Sequence, residues 1–311
     1  MTLHTILVGV DLSDESHTAV NHAIRIARHS GAKVVLLHAG VVPSPPPEVP
    51  AAIQPTLSEY DRILREHLSE ERGRLAELRE RVSGQGVEIS QMVIDDFPDH
   101  GICQAAGELG ADMVVVGSHG RSGFKRLLLG SVAERVVRLC ERDVLVARGG
   151  GDASGDGYRR LLVATDFSRI AELALEKAMA LAAPEARIDV VHCWHLPPVS
   201  YSYFTANSAV VELSEPLGKY TRELGEQLIA KHRRPGLELS FRSLEAPPTS
   251  GLIEWMDGKD YELVVTGSHG RRGMRRFLLG SVAEATVRHA PCSVLVVHGT
   301  TAADAGSEVA S

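Results

Sequence analysis

Cysteine is scarce in this chain of 311 residues: Cys103, Cys140, Cys193 and Cys292 are the four, and no two form a C-x-x-C pair. Neither a zinc ribbon nor a thioredoxin-like site is therefore suggested, and the four read as small buried apolar side chains. A basic surplus is also missing. The formal net charge is −7, which gives no support to nucleic acid as the main partner, although a local basic cluster still serves a single phosphate. No stretch approaches the ~18 uninterrupted apolar residues of a membrane helix, so no membrane partner is expected. The opening MTLHTILVGVDLSDES lacks a basic n-region, and Asp11 breaks its apolar run. It reads as a first strand rather than a signal peptide, and the expected location is the cytoplasm.

What is present suits a folded chain of about two domains: 44% of residues are apolar and 23% charged. The halves repeat each other. Residues 5–13 read TILVGVDLS and residues 160–168 read RLLVATDFS. Residues 117–134 (GSHGRSGFKRLLLGSVAE) and 267–284 (GSHGRRGMRRFLLGSVAE) agree at fourteen of eighteen positions. The offset is 155 at Asp11/Asp166 and 150 at Gly117/Gly267, so the second copy is five residues shorter between them. The stretches 43–85 and 197–236 share little. The same local constraint thus acts twice, at the end of the first strand and along the Gly-rich stretch. Between the copies, 149–158 reads as a flexible linker, and 299–311 as a disordered tail.

One half reads as a short β-branched strand over Ile6–Val10 and a helix over 16–29 with Ser13 or Ser16 as cap and Gly31 as stop. A buried strand Lys33–Ala39, a proline-rich loop and a charged amphipathic helix near 57–83 follow. Then come a strand Val87–Ile94, a helix 99–109, a strand Met113–Val116, a helix from Ser131 to about Cys140, and a last strand Asp143–Ala147. Alternating strands and helices predict an α/β fold: two tandem, doubly wound, mostly parallel five-stranded sheets with helices on both faces, over 1–148 and 159–298. The final strands, DVLVA and SVLVV, are short and apolar. An exposed apolar edge invites pairing, which predicts that the halves join through these strands as a pseudo-dimer. If each edge is instead covered within its own half, homodimers of the chain remain open.

Ligands in such sheets bind beyond the carboxyl ends of the strands. Asp11 and Asp166 follow their first strands there, and Gly117 and Gly267 close the fourth strands. The Gly stretch places Gly117, Gly120, Gly130 and Ser131 in one copy, and Gly267, Gly270, Gly280 and Ser281 in the other. Glycines admit a phosphate close to the backbone and tolerate positive φ. Gly130-Ser131 opens a helix whose N–H groups favour an anion. Arg121, Lys125 and Arg126 add positive charge, matched by Arg271, Arg275 and Arg276. The pattern is neither a P-loop nor a dinucleotide fingerprint. The competing structural account is that Ser131–Glu134 and Ser281–Glu284 are capping boxes and that the glycines serve turns alone. His119 and His269 fit a backbone-bonding role better than acid–base work. His192 and His195 have metal-like spacing but point to opposite faces of a strand, so no metal site is expected there.

The spacing G-2x-G-9x-G-S after a strand, the G-S-H-G-R wording and the Asp closing the first strand together resemble the ATP-binding subgroup of the universal stress protein family. The resemblance covers nearly the whole chain. It implies an adenine nucleotide alpha hydrolase-like fold, tandem domains that pair through their last strands, and an adenine nucleotide (ATP, or AMP or ADP) with Mg2+ at its phosphates. By position, Val10 with Asp11, and Thr165 with Asp166, would face the ribose and phosphate region. Ala39 and Cys193 would contact adenine through the backbone. Gly117, Gly120, Arg121, Gly130, Ser131 and Val132 would hold ribose and phosphates in the first copy. Gly267, Gly270, Arg271, Gly280, Ser281 and Val282 would do so in the second. One departure is Asp95-Asp96-Phe97-Pro98, where family members often carry Gly-x-Pro; facing the cleft, that acidic pair would repel a nucleotide. The function expected is a nucleotide-binding regulatory or stress-response protein. The alternatives are a slow ATPase or adenylyl-transferring enzyme of the same architecture, and an interaction module whose glycines serve structure only. No catalytic residue is assigned, because no nucleophile or base stands beside the Gly stretch.

Overall fold

The computed structural model describes residues 3–41, 54–119, 129–149, 155–196, 207–270 and 279–299. The first half runs β1 (Thr5–Gly9), α1 (Asp14–Ser30), β2 (Lys33–Ala39), α2 (Gln54–Val82), β3 (Ile89–Ile94), α3 (Pro98–Glu108), β4 (Met113–Gly117), α4 (Ser131–Leu139) and β5 (Asp143–Ala147). The second repeats the order with β6 (Tyr158–Ala164), α5 (Arg169–Leu181), β7 (Ala182–Trp194), α6 (Asn207–His232), β8 (Leu237–Glu245), α7 (Pro248–Met256), β9 (Leu263–Gly267), α8 (Ser281–His289) and β10 (Ser293–Val297). Gly120, Arg121, Lys125, Arg126, Arg271, Arg275 and Arg276 lie outside the described residues, as do the proline-rich loop and the tail from 300 onward.

Local chemistry sets these boundaries. Ser13 caps α1 by accepting from the Ser16 N–H, and Gly31 closes it in the left-handed conformation at φ 78°. Along α2, Leu75, Leu78 and Val82 are buried at helical spacing, whereas Arg62 pairs with Glu59 and Glu66 in solvent. The sheet has ten strands in the order β3-β2-β1-β4-β5-β10-β9-β6-β7-β8. Within each half all pairings are parallel. The halves meet at β5 and β10, which pair antiparallel with Leu145 opposite Leu295. The edge-to-edge junction expected from the two apolar last strands is thus present.

Strand alternation divides the interior into two clusters, one on each face of the sheet. Ile6 and Val8 belong to the cluster under α1, α2, α5 and α6, and Leu7 to the one under α3, α4, α7 and α8. Both clusters cross the junction: Leu145 and Leu295 lie in the first, and Val144, Val146, Val294 and Val296 in the second. The end of the stretch read as linker is docked. Tyr158 is fully buried as the first residue of β6, and the Gly157 carbonyl accepts from Arg25 at 2.8 Å. Gly157 has φ +84°, and a Cβ there would stand 2.8 Å from the Ala183 nitrogen, so only glycine fits.

Candidate functional site

In each half the strand order reverses between two central strands, β1/β4 and β6/β9. A crevice opens beyond the carboxyl ends at such a switch point. Asp11 and Gly117 flank the first, Asp166 and Gly267 the second.

The turn after the first strand is built alike in both halves. Asp11 Oδ1 accepts from the Ser13 N–H at 3.0 Å, and Asp166 Oδ1 from the Ser168 N–H at 3.0 Å. The residues between, Leu12 and Phe167, take φ 63° and 62°. A bulky side chain in the left-handed region costs free energy, and here it occurs twice at the same place. Nothing in the residue types announces it. The described glycines of the Gly stretch (117, 130, 267, 270 and 280), by contrast, do not take the positive φ that motivated their choice. Close packing explains three of them. A Cβ on Gly267 would meet Ile170 at 2.8 Å, one on Gly280 would meet the Ser268 carbonyl at 3.2 Å, and one on Gly270 would meet Asp166 Oδ2 at 2.9 Å. The last contact joins the two motifs directly.

The halves differ beneath the aspartate. Asp11 Oδ1 also accepts from the hydroxyls of Ser13 (2.5 Å) and Ser16, whereas Ala171 stands in the second half where Ser16 stands in the first. The matching histidines on the second strands each bond the carbonyl after the first strand: His38 Nδ1 to Val10 at 2.7 Å, His192 Nδ1 to Thr165 at 2.7 Å. His38 also meets Glu71 at 3.3 Å, both nearly buried, while the His192 ring tilts against Phe167.

The capping-box account of the serines does not hold. The N-cap residues are Gly130 and Gly280, with no side-chain cap, and Ser131 and Ser281 are the first helical residues. Glu134 turns instead across the junction to Arg288 at 2.8 Å, and Glu284 pairs with Arg288 at 3.3 Å. The first-turn N–H groups of both helices have no intrahelical acceptor. The backbone role assigned to His119 and His269 is likewise replaced. Each Nδ1 pairs with the preceding serine hydroxyl, at 3.0 and 2.9 Å, and each Nε2 is buried with no partner among the described residues.

In the second half these parts enclose a cavity of about 660 Å³. Its apolar lining includes Ala164, Val191, Cys193, Pro248 and Leu252. Gly280, Ser281 and Val282 at the α8 N-terminus line it too, as do Thr165, Asp166, Gly267, His269 and Gly270. Thr165, Asp166, Cys193, Gly267, Gly270, Gly280, Ser281 and Val282, which the sequence assigns to the second nucleotide site, all line this one space; Arg271 lies outside the described residues. Burial raises the Cys193 thiol to about 11, so it is a neutral wall of the cavity. In the first half, Val10, Asp11, Ala39, Gly117, Gly130, Ser131 and Val132 occupy the matching positions at the ends of β1, β2 and β4 and the start of α4. At the third-strand exit, Asp96 accepts from the Phe97 N–H at 2.7 Å and pairs with His100 at 2.5 Å. The His100 bond holds the Asp96 carboxyl below its usual range and raises His100. That partner offsets part of the charge expected to repel a nucleotide.

The profile of the Universal stress protein family matches residues 2–148 and 157–298. A universal stress protein of Mycolicibacterium smegmatis (strain ATCC 700084) is 29% identical over 314 residues, spanning 95% of this chain and 97% of its own length. The crystal structure of a universal stress protein from Archaeoglobus fulgidus DSM 4304 covers 95% of this chain and 98% of that one, with TM-score 0.62 and 21% identity. A universal stress protein crystallised in complex with cAMP covers 48% of this chain and 98% of its own, at 28% identity and TM-score 0.34. Among the described residues, no helix is long and apolar enough to cross a membrane.

Proposed function

The chain belongs to the universal stress protein family, with one copy of the family fold in each half, and from that premise we propose that each half binds an adenine nucleotide in a regulatory, stress-response role. The cavity at the β6/β9 switch point carries the proposal. Its size falls within the roughly 300–1,000 Å³ of small-molecule sites. Its apolar lining residues offer a flat heterocycle a contact surface, and Asp166 offers acceptors to sugar hydroxyls. The N–H groups of Ser281 and Val282, with the positive end of the α8 dipole, suit phosphate oxygens. The empty side-chain cap supports the same reading, because the donors that a serine would have consumed are left for a ligand.

Mg2+ fits as a rider on the phosphates rather than as a resident of a protein cage. Asp166 and Glu284 are the carboxylates in the cavity wall, and Glu284 is committed to Arg288. Mg2+ keeps several waters and commonly takes one or two carboxylates beside phosphate oxygens. The first half offers the same frame, with the Ser13 and Ser16 hydroxyls bonded to Asp11.

Calorimetry of the full chain with ATP and Mg2+ tests this. The expected isotherm has two sites, the first-half site being the weaker. Absence of heat with ATP, ADP and AMP alike, at protein concentrations that detect a Kd near 1 mM, would overturn the proposal in favour of an interaction module. Steady-state turnover in the ordinary enzyme range of ~1–1,000 per second would replace binding by catalysis.

A further inference from the structure

Three side chains of the second half converge away from the cavity. Glu172 and Glu176 stand one turn apart on α5, and His232 is the last residue of α6. One oxygen of each carboxylate and one ring nitrogen of the imidazole all lie within 4.8 Å of one another. His232 Nε2 is 2.8 Å from Glu172 Oε1, with the His232 side chain 7% exposed and that of Glu172 28%. The first half does not build this group. Its helix α2 ends on Val82 as α6 ends on His232, and both residues are buried. At the offset of 155 set by Asp11 and Asp166, His17 and Asn21 stand in the places of Glu172 and Glu176. A valine therefore meets the packing demand at the helix end, and the imidazole answers to something else.

Ion pairing accounts for two of the three residues. Lys231 and His232 both bond Glu172 Oε1, and these bonds hold the Glu172 carboxyl below its usual range. Glu176 is exposed and makes no hydrogen bond or ion pair among the described residues. Like charges at i and i+4 on a helix repel, yet its carboxylate stands beside that of Glu172 and the buried imidazole.

We propose that Glu172, Glu176 and His232 form a zinc site that ties α5 to the end of α6. The donor set selects the ion. Ca2+ and Mg2+ take oxygen ligands, whereas an imidazole nitrogen with two carboxylates suits a divalent transition ion. Zn2+ takes three such protein ligands at about 2.0–2.2 Å and a water in the fourth position. Around a tetrahedral ion of that size the ligand atoms stand roughly 3.3–3.6 Å apart. The flexible glutamates supply the small closure from the present spacing. Two carboxylates and a neutral imidazole balance the charge of the ion, so the Lys231 ammonium is displaced; its side chain is 65% exposed and swings into solvent. None of the three ligands lines the nucleotide cavity, and the site stands independently of nucleotide binding.

The test uses the full chain without an affinity tag, stripped with a chelator and free of nucleotide. Zn2+ is titrated by calorimetry and Co2+ by its visible absorption. One ion per chain is expected, with an intense tetrahedral Co2+ band that added Zn2+ abolishes, and a melting temperature that rises with Zn2+ concentration. Glu176→Gln alters an exposed side chain and spares the fold; it should weaken Zn2+ binding at least about tenfold. His232→Val borrows the residue that ends α2 and should remove the Co2+ band. Lys231→Ala should tighten Zn2+ binding, because it removes the cation that competes for Glu172. Absence of saturable binding up to about 1 mM Zn2+ would overturn the proposal, as would binding that Glu176→Gln or His232→Val leaves unchanged.

Discussion

At the scale of single residues, the tightest link between the two repeated motifs is the approach of Gly270 to Asp166, where an added Cβ would stand 2.9 Å from Oδ2. The obstructed atom is the end of a side chain, so the fold yields cheaply while the carboxylate moves. Gly270→Ala is therefore expected to leave the melting temperature within a few degrees. It should weaken nucleotide binding by roughly 10- to 100-fold, the loss of one hydrogen bond to a charged group at about 1.5–3 kcal/mol. Calorimetry of the variant beside a thermal melt checks this. Unchanged affinity would remove Asp166 from the site. Leu12 and Phe167 belong to the same scale. Their left-handed backbone lets the Asp carboxylate fold back onto the N–H of the serine two residues on in both halves.

Between elements, the contact of α1 with β6 and β10 centres on His22. Its Nε2 lies 3.4 Å from the Arg148 carbonyl and 3.0 Å from Ser293 Oγ, and its Nδ1 lies 2.8 Å from the Tyr158 hydroxyl. A carbonyl only accepts, so the network assigns the proton to Nε2 and leaves Nδ1 to accept from Tyr158. Burial lowers the His22 pKa from 6.5 to about 4, opposed by the Arg148 carbonyl and assisted by the Arg25 charge. The folded value lies below the unfolded one, so the unfolded chain binds more protons across that window. Stability is full above pH 6.5 and falls as the pH drops toward 4, by about 3 kcal/mol. Urea unfolding of the wild type between pH 7 and 4 should show this fall, and His22→Gln should lack that share of it. Identical pH dependence in both proteins would show that His22 does not carry the proton. Arg148 works at the same contact. Its guanidinium bonds the last carbonyls of α8, including Val287 and Ala290, so a side chain from one half closes a helix of the other.

For the molecule as a whole, the junction turns two sheets into one. Leu145 is fully buried opposite Leu295, and Asp143 beside it is held by Lys177 from the other half and by the His298 N–H at 3.1 Å. The halves are thus tied by apolar burial in the middle and by polar bonds at the rim. Leu145→Lys places an ammonium in that core, and the expected cost is at least about 3 kcal/mol. Denaturation should then separate into two transitions, with proteolysis between the halves at a denaturant concentration that spares the wild type. One undisturbed cooperative transition would show that the halves do not depend on this contact. With β5 and β10 covering each other, β3 and β8 are the outermost strands of the sheet among the described residues.

The parallel sheets, their element order and the valine-rich strands that join them follow from features local in sequence: the period of apolar residues, the caps at Ser13 and Gly31, and two copies of one motif. The motif also singled out the cavity-lining residues of the second half, because duplication exposes a shared constraint that composition hides. Other features depended on backbone geometry and on neighbours far away in the chain. Ser131 and Ser281 read as caps, yet they are the first helical residues and the caps are the glycines before them, while the acids that would complete the boxes pair with Arg288 near the junction instead. Leu12 and Phe167 are residue types that disfavour their own conformation, so no propensity points to them. Sequence determined which elements form, because periodicity and capping act within a few residues; only the tertiary structure decided which polar groups meet, because those partners are brought together by packing across the sheet.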